Sequence, residues 1–363
     1  LNERGLADLP IILGGAALTR SYVERDLREV YEGRVFYGRD AFEGLATMDR
    51  LIELKTTGED DPSFGREISE SKVQKRRRLE PQDAAELEGL PKRSPEVADD
   101  NEVFTPPFLG SQVAKGMALE DIAAFVNRTA LFRNQWGFRP EAGEDDEAFK
   151  TRVEAQLREE LAKAKAEDLL VPQAVWGHFP ANADGNDLVI WTDDDRRSER
   201  MRFTFPRQVA EPWLCIADFF RTVESGDRDY ASFQLVTMGS RVSERAAELF
   251  QADRYLDYVL LHGLGVEMAE GLAEMWHQRI RTELGYVAED GPTMTGLFRQ
   301  QYRGGRYSWG YPACPDLTDN AKVVELLEAG RIGVEVSEGF QLHPEQTTDA
   351  IICHHPQAKY FIA

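Results

Sequence analysis

Apolar positions first cluster at residues 10–13 (PIIL), a run that stops at Gly14-Gly15 and predicts a short buried strand. From Ser21 to Tyr31 the spacing of Val23, Leu27, Val30 and Tyr31 is helical, and a second apolar run follows at Val35 to Tyr37. Asp40 then stands as an N-cap for a helix with Phe42, Leu45, Met48 and Ile52 on one face. Strand, helix, strand, helix is half of a doubly wound α/β arrangement, here over residues 1–52. Further along, Phe149, Val153, Leu157 and Leu161 fall four apart between Asp145 and Asp168, the pattern of an amphipathic helix. Runs at 174–179, 188–191 and 201–205 read as strands of an antiparallel meander, the first two joined by the turn-rich residues 182–186. Another strand is expected at 232–237, helices at 243–261, 265–284 and 320–328 (ending at Gly330), and strands at 332–336, 350–353 and 360–362. Helices grouped around a twisted antiparallel sheet make residues 102–363 an α+β domain.

Composition changes this picture in one place. Between residues 53 and 101, 22 of 49 residues are charged, only eight are Leu, Ile, Val or Phe, and Phe64 is the one aromatic. So little apolar surface cannot offset the entropy of ordering, and the stretch is expected to be a flexible charged linker. It carries Lys72 and the run Lys75–Arg78, which reads as a solvated charge run, since 43 Lys and Arg against 64 Asp and Glu leave a net charge of −21 and disfavour nucleic acid as a partner. Cys215, Cys314 and Cys353 form no C-x-x-C pair, which argues against a disulfide framework and fits a reducing, cytoplasmic setting. The apolar run at 9–18 is too short to span a bilayer and follows Glu3, Arg4 and Asp8 where a signal peptide would be basic, so no membrane partner is expected. No initiator Met precedes it, and the chain is expected to be a piece of a longer one.

Candidate chemistry concentrates at 304–315, GGRYSWGYPACP. An Arg fork reads a carboxylate bidentately, Gly lets backbone approach a ligand, and Tyr or Trp faces stack on heteroaromatic rings. Those are the needs of an amino-acid-bearing nucleotide, although a packed structural loop has the same composition. Elsewhere, Cys353-His354-His355 offers three metal-ligand types, but neighbours on a strand point to opposite faces and cannot converge. His178 reads as a packed histidine and Cys314 as a small buried residue.

R-x-x-x-G-Y-P-A-C-P at Arg306–Pro315 and the closing HHPQAKYFIA at 354–363 resemble the activation domain of the cobalamin-dependent methionine synthase family. TPPF at 105–108, ALFRNQWGF at 130–138 and FPAN at 179–182 extend that resemblance from about residue 102 to the end. LPIILGGAALTRSYV and the run to Ala41 resemble the last part of the cobalamin-binding domain of the same family. The resemblance implies a reactivation module of a methyltransferase that moves a methyl group from 5-methyltetrahydrofolate to homocysteine in methionine biosynthesis. Such a module binds S-adenosylmethionine and docks on the cobalamin domain while flavodoxin or another one-electron reductase reduces cob(II)alamin. The piece by itself is not expected to make methionine.

The same resemblance assigns Arg306 to the methionyl carboxylate, and Gly310 and Tyr311 to the adenosine through their backbone. Tyr360 and Phe361 match two adjacent ligand-contacting aromatics. Asn127 stands where the family has an acidic ligand to the amino group, and its amide oxygen accepts a hydrogen bond without adding charge. Glu270 matches a cleft Glu and is expected to supply the missing charge. Gly14 and Gly15 match the glycine turn near the cobalamin tail, and Ala41 a cofactor-contacting position. The D-x-H-x-x-G motif whose His ligates cobalt does not occur in this sequence, and the family's zinc site uses cysteines of a separate domain. A ligand-free adaptor with the same fold is the competing reading, favoured by Asn127.

Overall fold

In the computed structural model, which describes residues 1–2, 5–14, 20, 22–38, 41–58, 61–66 and 89–363, the chain forms two units, Leu1–Arg78 and Leu79–Ala363. In the first, β1 (Ile11–Leu13) pairs in parallel with β2 (Val35–Tyr37), Ile11 opposite Val35 and Leu13 opposite Tyr37. Parallel neighbours need a crossover. It is the predicted helical stretch, a π-helical turn at Tyr22–Leu27 that runs into α1 (Arg28–Val30) and buries Val23 completely. After β2 comes α2 (Ala41–Thr57). Its expected N-cap, Asp40, lies outside the described residues, as do Gly15 and Lys72–Arg78. Of the expected apolar face of α2, Leu45, Met48 and Ile52 are exposed, whereas Leu54 is buried.

Order reaches into the segment 53–101 from both ends. α2 continues to Thr57, and Phe64 lays its ring 4.6 Å from that of Phe36 while Val35 N donates to Gly65 O. In the second unit Ser94 is buried and donates from Oγ to Pro212 O at 2.6 Å, Arg93 donates to Phe220 O, and Val97 joins the core. A few anchoring residues at each end hold the described parts of this charged segment, which average composition cannot register.

The second unit is built on a seven-stranded antiparallel sheet. Its strands are β3 (Gly110–Lys115), β4 (Gln173–Asp184), β5 (Asp187–Trp191), β6 (Glu199–Thr204), β7 (Tyr230–Thr237), β8 (Gly305–Tyr307) and, after the small separate pair β9 (Glu335–Val336) and β10 (Leu342–His343), β11 (Thr347–Cys353). The order is β6-β5-β4-β7-β11-β8, with β3 also on β4. β3 and β5 share one edge of β4, along residues 173–178 and 181–184, and β7 takes the other.

Helices are α3 (Leu119–Ala123), α4 (Asp146–Ala166), α5 (Arg241–Gln251), α6 (Tyr255–Leu284), α7 (Met294–Phe298) and α8 (Asp319–Leu327). Alternation along β7 sends Phe233 and Leu235 into one core and Val236 into the other. On the first side α8 contributes Val323 and Leu326. On the second, Leu264, Met268, Leu272 and Trp276 of α6 pack with Trp176 and with Phe149, Val153 and Leu157 of α4. The α+β architecture with helices around an antiparallel sheet is therefore the one the pattern predicts, and α4 keeps its four-residue spacing.

The differences have local causes. The helices expected at 243–261 and 265–284 are instead α5 and a single 30-residue α6, and the break falls at Asp253, which has a positive φ of 56°. Gly263 and Gly265 suggest a break but serve packing: a Cβ on Gly263 would stand 2.8 Å from Gln135 Cβ and 3.0 Å from Trp136 Cδ1. Gly263→Val should therefore lower stability by about 1–3 kcal/mol, the usual cost of overpacking, and an unchanged urea midpoint would show that the neighbouring turn yields instead. In place of the strand expected at 332–336 there is a 3₁₀ turn at Ala329–Ile332 followed by the two-residue β9. Residues 360–362 are irregular, and β3, β8 and the two-residue β10 are strands that the sequence pattern does not predict.

Candidate functional site

The glycine-rich loop owes its position to β11. Gly304, with φ 86°, has its Cα so close to the chain that a Cβ would lie 2.3 Å from Cys353 O, so only glycine lets β8 dock there. β8 then places Tyr307 opposite Ile351 and Arg306 opposite Ile352. Alternation buries Tyr307, whose hydroxyl donates to Lys359 O at 2.9 Å, and turns Arg306 toward α6. There Arg306 Nη2 lies 3.6 Å from Glu270 Oε2 and 3.7 Å from Glu274 Oε2. Gly310, at φ 88°, donates from N to Cys314 O, and Cys314 N donates to Tyr311 O, closing a turn that leaves the Tyr311 side chain half-exposed.

Two cavities meet at Arg306 and Glu270. The larger, about 620 Å³, is lined by those two with Tyr311 and Tyr360, and also by Asn320 and Asp349. Asn320 Oδ1 and Asp349 Oδ2 are buried without a hydrogen-bond partner among the described residues, and burial pushes the Asp349 carboxyl up to about 7. The smaller, about 320 Å³, is lined by Asn127, Glu267, Glu270, Glu274, Tyr302 and Arg306. Burial would lower the Arg306 pKa, but Glu274 and Glu270 more than compensate and hold the guanidinium firmly charged. Burial also raises the Glu274 carboxyl.

The wall opposite is braced by aromatic and cationic groups. Arg281 grips Asp290 with two contacts, Nε to Oδ1 at 2.7 Å and Nη2 to Oδ2 at 2.8 Å, and lies over the Tyr302 ring at 4.3 Å. Lys359 Nζ donates to Gln300 O and Tyr302 O, and Tyr360 N donates to Gln300 Oε1 at 3.2 Å, which ties the C-terminal segment to this loop.

Of the residues singled out in the sequence, Arg306, Glu270, Tyr311 and Tyr360 share the larger cavity, and Asn127 joins Arg306 and Glu270 at the smaller one. Gly310 shapes the loop beneath Tyr311. Phe361 is placed apart from them: it is buried, with its ring 6.2 Å from Phe219 and 6.0 Å from Tyr307, and lines neither cavity. Consecutive residues of an extended segment face opposite ways, so once Tyr360 faces the cleft Phe361 faces the core. Asn127 is already engaged, since its Oδ1 accepts from Thr129 N at 3.1 Å and Ala130 N at 3.2 Å, capping the π-helical turn Ala130–Gln135. Glu267 and Glu274 are site residues that the motif does not point to. Their signal in the sequence is the i, i+3, i+7 spacing with Glu270 on a helix whose other inward positions are apolar.

Gly14 follows β1 in the first unit, where a Cβ would come 2.3 Å from Gly38 O, so its glycine is required by chain packing. Ala41 is the first residue of α2. Neither residue type carries a ligating group, and the described residues of the first unit do not make a set that fits cobalamin. Cys353, His354 and His355 do not converge: His354 Nε2 lies 3.3 Å from Asp229 Oδ1, whereas His355 Nε2 meets Ala98 O. His178 is buried against Ser232 Oγ at 2.7 Å, and the buried Cys314 thiol, pushed up by desolvation, contacts Ser308 O. No helix among the described residues is long and apolar enough to cross a membrane.

The family model for the vitamin B12 dependent methionine synthase activation domain matches residues 118–363. A methionine synthase of Mycobacterium tuberculosis is 44% identical over 388 residues, and one of Mycobacterium leprae is 43% identical over 391. In both cases the match takes in 99% of this chain but 32% of the relative, so the chain spans about a third of the length of these curated relatives. A crystal structure of the MetH reactivation domain bound to AdoHcy superposes with a TM-score of 0.67 at 27% identity, covering 72% of this chain and 83% of that one.

Proposed function

Since this chain belongs to the vitamin B12 dependent methionine synthase activation-domain family, we propose that its second unit binds S-adenosylmethionine in the cleft between β8, α6 and the C-terminal segment. The observation that carries this reading is Arg306, a charged fork at the junction of two cavities with carboxylates on one side and Tyr311 and Tyr360 on the other. Arg306 holds the methionyl carboxylate, the Gly310–Tyr311 turn presents backbone to the adenosine, Tyr360 flanks the ligand, and Glu270 adds negative charge toward its amino group. Phe361 supports this from the core by fixing the direction in which Tyr360 faces.

In the complete protein, a 5-methyltetrahydrofolate–homocysteine methyltransferase of methionine biosynthesis, the bound S-adenosylmethionine serves the reductive methylation of cob(II)alamin. The partners are then the cobalamin domain of the same polypeptide and flavodoxin or another one-electron reductase, in a cytoplasmic setting that suits three free, buried cysteines. Cobalamin supplies the methyl-accepting cobalt, and no step here is assigned to residues of the first unit.

Isothermal titration of the chain with S-adenosylmethionine, with S-adenosylhomocysteine for comparison, tests the reading. Saturable one-to-one binding is expected. The adaptor alternative draws on the engaged oxygen of Asn127, and no binding at millimolar ligand would replace the present reading with it.

A further inference from the structure

α6 presents Glu267, Glu270 and Glu274 to the smaller cavity, one and two turns apart on a single face. Among the described residues that line it, these three carboxylates face one guanidinium, that of Arg306. Glu270 and Glu274 both lie on Arg306, at 3.6 and 3.7 Å. Glu267 is only 6% exposed, and its one polar partner among the described residues is neutral, Gln135 Nε2 at 3.2 Å from Oε1. Glu274, 7% exposed, also keeps its Oε1 buried with no hydrogen-bond donor among the described residues. The cavity therefore has acceptors in excess of donors and negative charge in excess of positive, so what it lacks is a cationic donor. Asn127 cannot fill the acceptor role expected of its position, because its oxygen is spent on Thr129 and Ala130.

We infer that Glu267 is the carboxylate that receives the α-ammonium group of the bound amino-acid moiety, with Glu274 Oε1 as a second acceptor. This rests on the S-adenosylmethionine reading above and deepens it. An α-amino acid carries its carboxylate and ammonium on one carbon, and Arg306 and Glu267, which line one cavity, together read both charges. Negative charge that does not reside on residue 127 is thus supplied from α6.

The assignment has a proton signature. Burial, assisted by the charge of Glu270 and opposed by the Gln135 hydrogen bond, pushes Glu267 up to about 7. The groups that face it are Glu270 and Glu274 from its own helix, Arg306 from β8, Tyr302 from the preceding loop, Gln135 from the π-helical turn and Asn127 just before it. An ammonium group arriving beside Glu267 favours its ionised form, so binding releases a proton and weakens as pH falls below 7. Below about pH 7 the ligand's own amine stays charged, and between pH 7 and pH 5.5 the fraction of ionised Glu267 falls by roughly tenfold, with apparent affinity following it.

The experiment is calorimetric titration of the full chain and its Glu267→Gln variant with S-adenosylmethionine at pH 7.0 and 5.5, and with methylthioadenosine, which lacks the amino-acid moiety. The wild-type chain should bind S-adenosylmethionine about tenfold more weakly at pH 5.5. E267Q should lose about tenfold at pH 7.0, show a clearly smaller pH slope, to which Glu274 alone contributes, and bind methylthioadenosine as the wild-type chain does. Equal affinity and slope in both proteins, or equal losses for both ligands, would overturn the role of Glu267 and leave the ligand reading standing. Failure of the wild-type chain to bind S-adenosylmethionine would instead bring down the reading on which it rests. Should E267Q fold poorly, proton release by the wild-type chain, read from the heat in buffers of different ionisation enthalpy, decides alone: none at pH 7.0 overturns the inference.

Discussion

Replacing Asp218 by alanine should destabilise the second unit by about 3–5 kcal/mol, the range for removing one partner of a buried ion pair. Asp218 and Arg207 are each 1% exposed and meet in two contacts, Nη1 to Oδ2 at 2.7 Å and Nη2 to Oδ1 at 2.8 Å. The guanidinium also donates to Asn186 Oδ1, Trp213 O and Lys92 O, while Asp218 Oδ2 accepts from Cys215 N. The pair thereby joins the incoming segment near residue 92, the turn after β4 and the loop 205–219. Alanine would remove the Asp218 charge from a buried guanidinium whose other acceptors among the described residues, Asn186, Trp213 and Lys92, are neutral. One effect works the other way: both residues border a cavity of about 540 Å³, through which water can reach the guanidinium, so the lower end of the range is favoured. Urea unfolding of the wild-type chain and D218A measures the difference. A loss below about 1 kcal/mol would mean that water replaces the carboxylate almost fully. A double replacement of Arg207 and Asp218 by apolar residues should recover much of the loss, because the large cost comes from burying the guanidinium without Asp218 and not from absence of the pair.

How much of the fold and the cleft is legible in the sequence depends on where the determining information lies. Phe149, Val153 and Leu157 announce α4 by spacing alone, and the strands near 174–179, 188–191 and 201–205 by alternation and turn residues, because each pattern is local. β8 is three residues long and exists because β11 is beside it, so no local pattern reveals it. The glycines of α6 are ambiguous for the same reason: Gly263 looks like a helix break until Gln135 and Trp136 occupy the space against it. In the cleft, Arg306, Tyr311 and Tyr360 are marked by a motif. The alternation that sends Tyr360 and Phe361 opposite ways is also local, a property of extended backbone that the motif's paired aromatics obscure. Glu267 is different. A glutamate on a long helix is ordinarily solvated, and that this one is buried with no cationic partner among the described residues follows only from the packing of α6 against the turn 130–135 and the loop before β8.

Arg306→Ala should weaken S-adenosylmethionine binding by about 1.5–3 kcal/mol, the value of a hydrogen bond to a charged group, which corresponds to roughly ten- to 150-fold in the dissociation constant. Two features of the site bear on where in that range the result falls. In the free chain the guanidinium is shared by Glu270 and Glu274 at the long distances of 3.6 and 3.7 Å, so little is lost from those contacts when a ligand carboxylate draws it away. With alanine in place, the same two carboxylates remain without a cation and repel the incoming carboxylate, which moves the expected loss toward the upper end. Glu274 is buried, and its carboxyl, already raised by desolvation, would rise further without Arg306. The sign for folding follows. A carboxyl raised above its unfolded value binds more protons in the folded state, so R306A should lose stability relative to the wild-type chain as pH increases from about 5 to 8. Arg306→Lys separates charge from geometry: it keeps a cation for Glu270 and Glu274 but loses the planar fork, and should recover the stability at pH 8 more fully than the affinity. The measurements are titrations with S-adenosylmethionine and thermal unfolding of the three proteins at pH 5 and 8. If R306A binds as tightly as the wild-type chain, the ligand carboxylate lies elsewhere, and the zwitterion-reading arrangement of Arg306 and Glu267 falls with it.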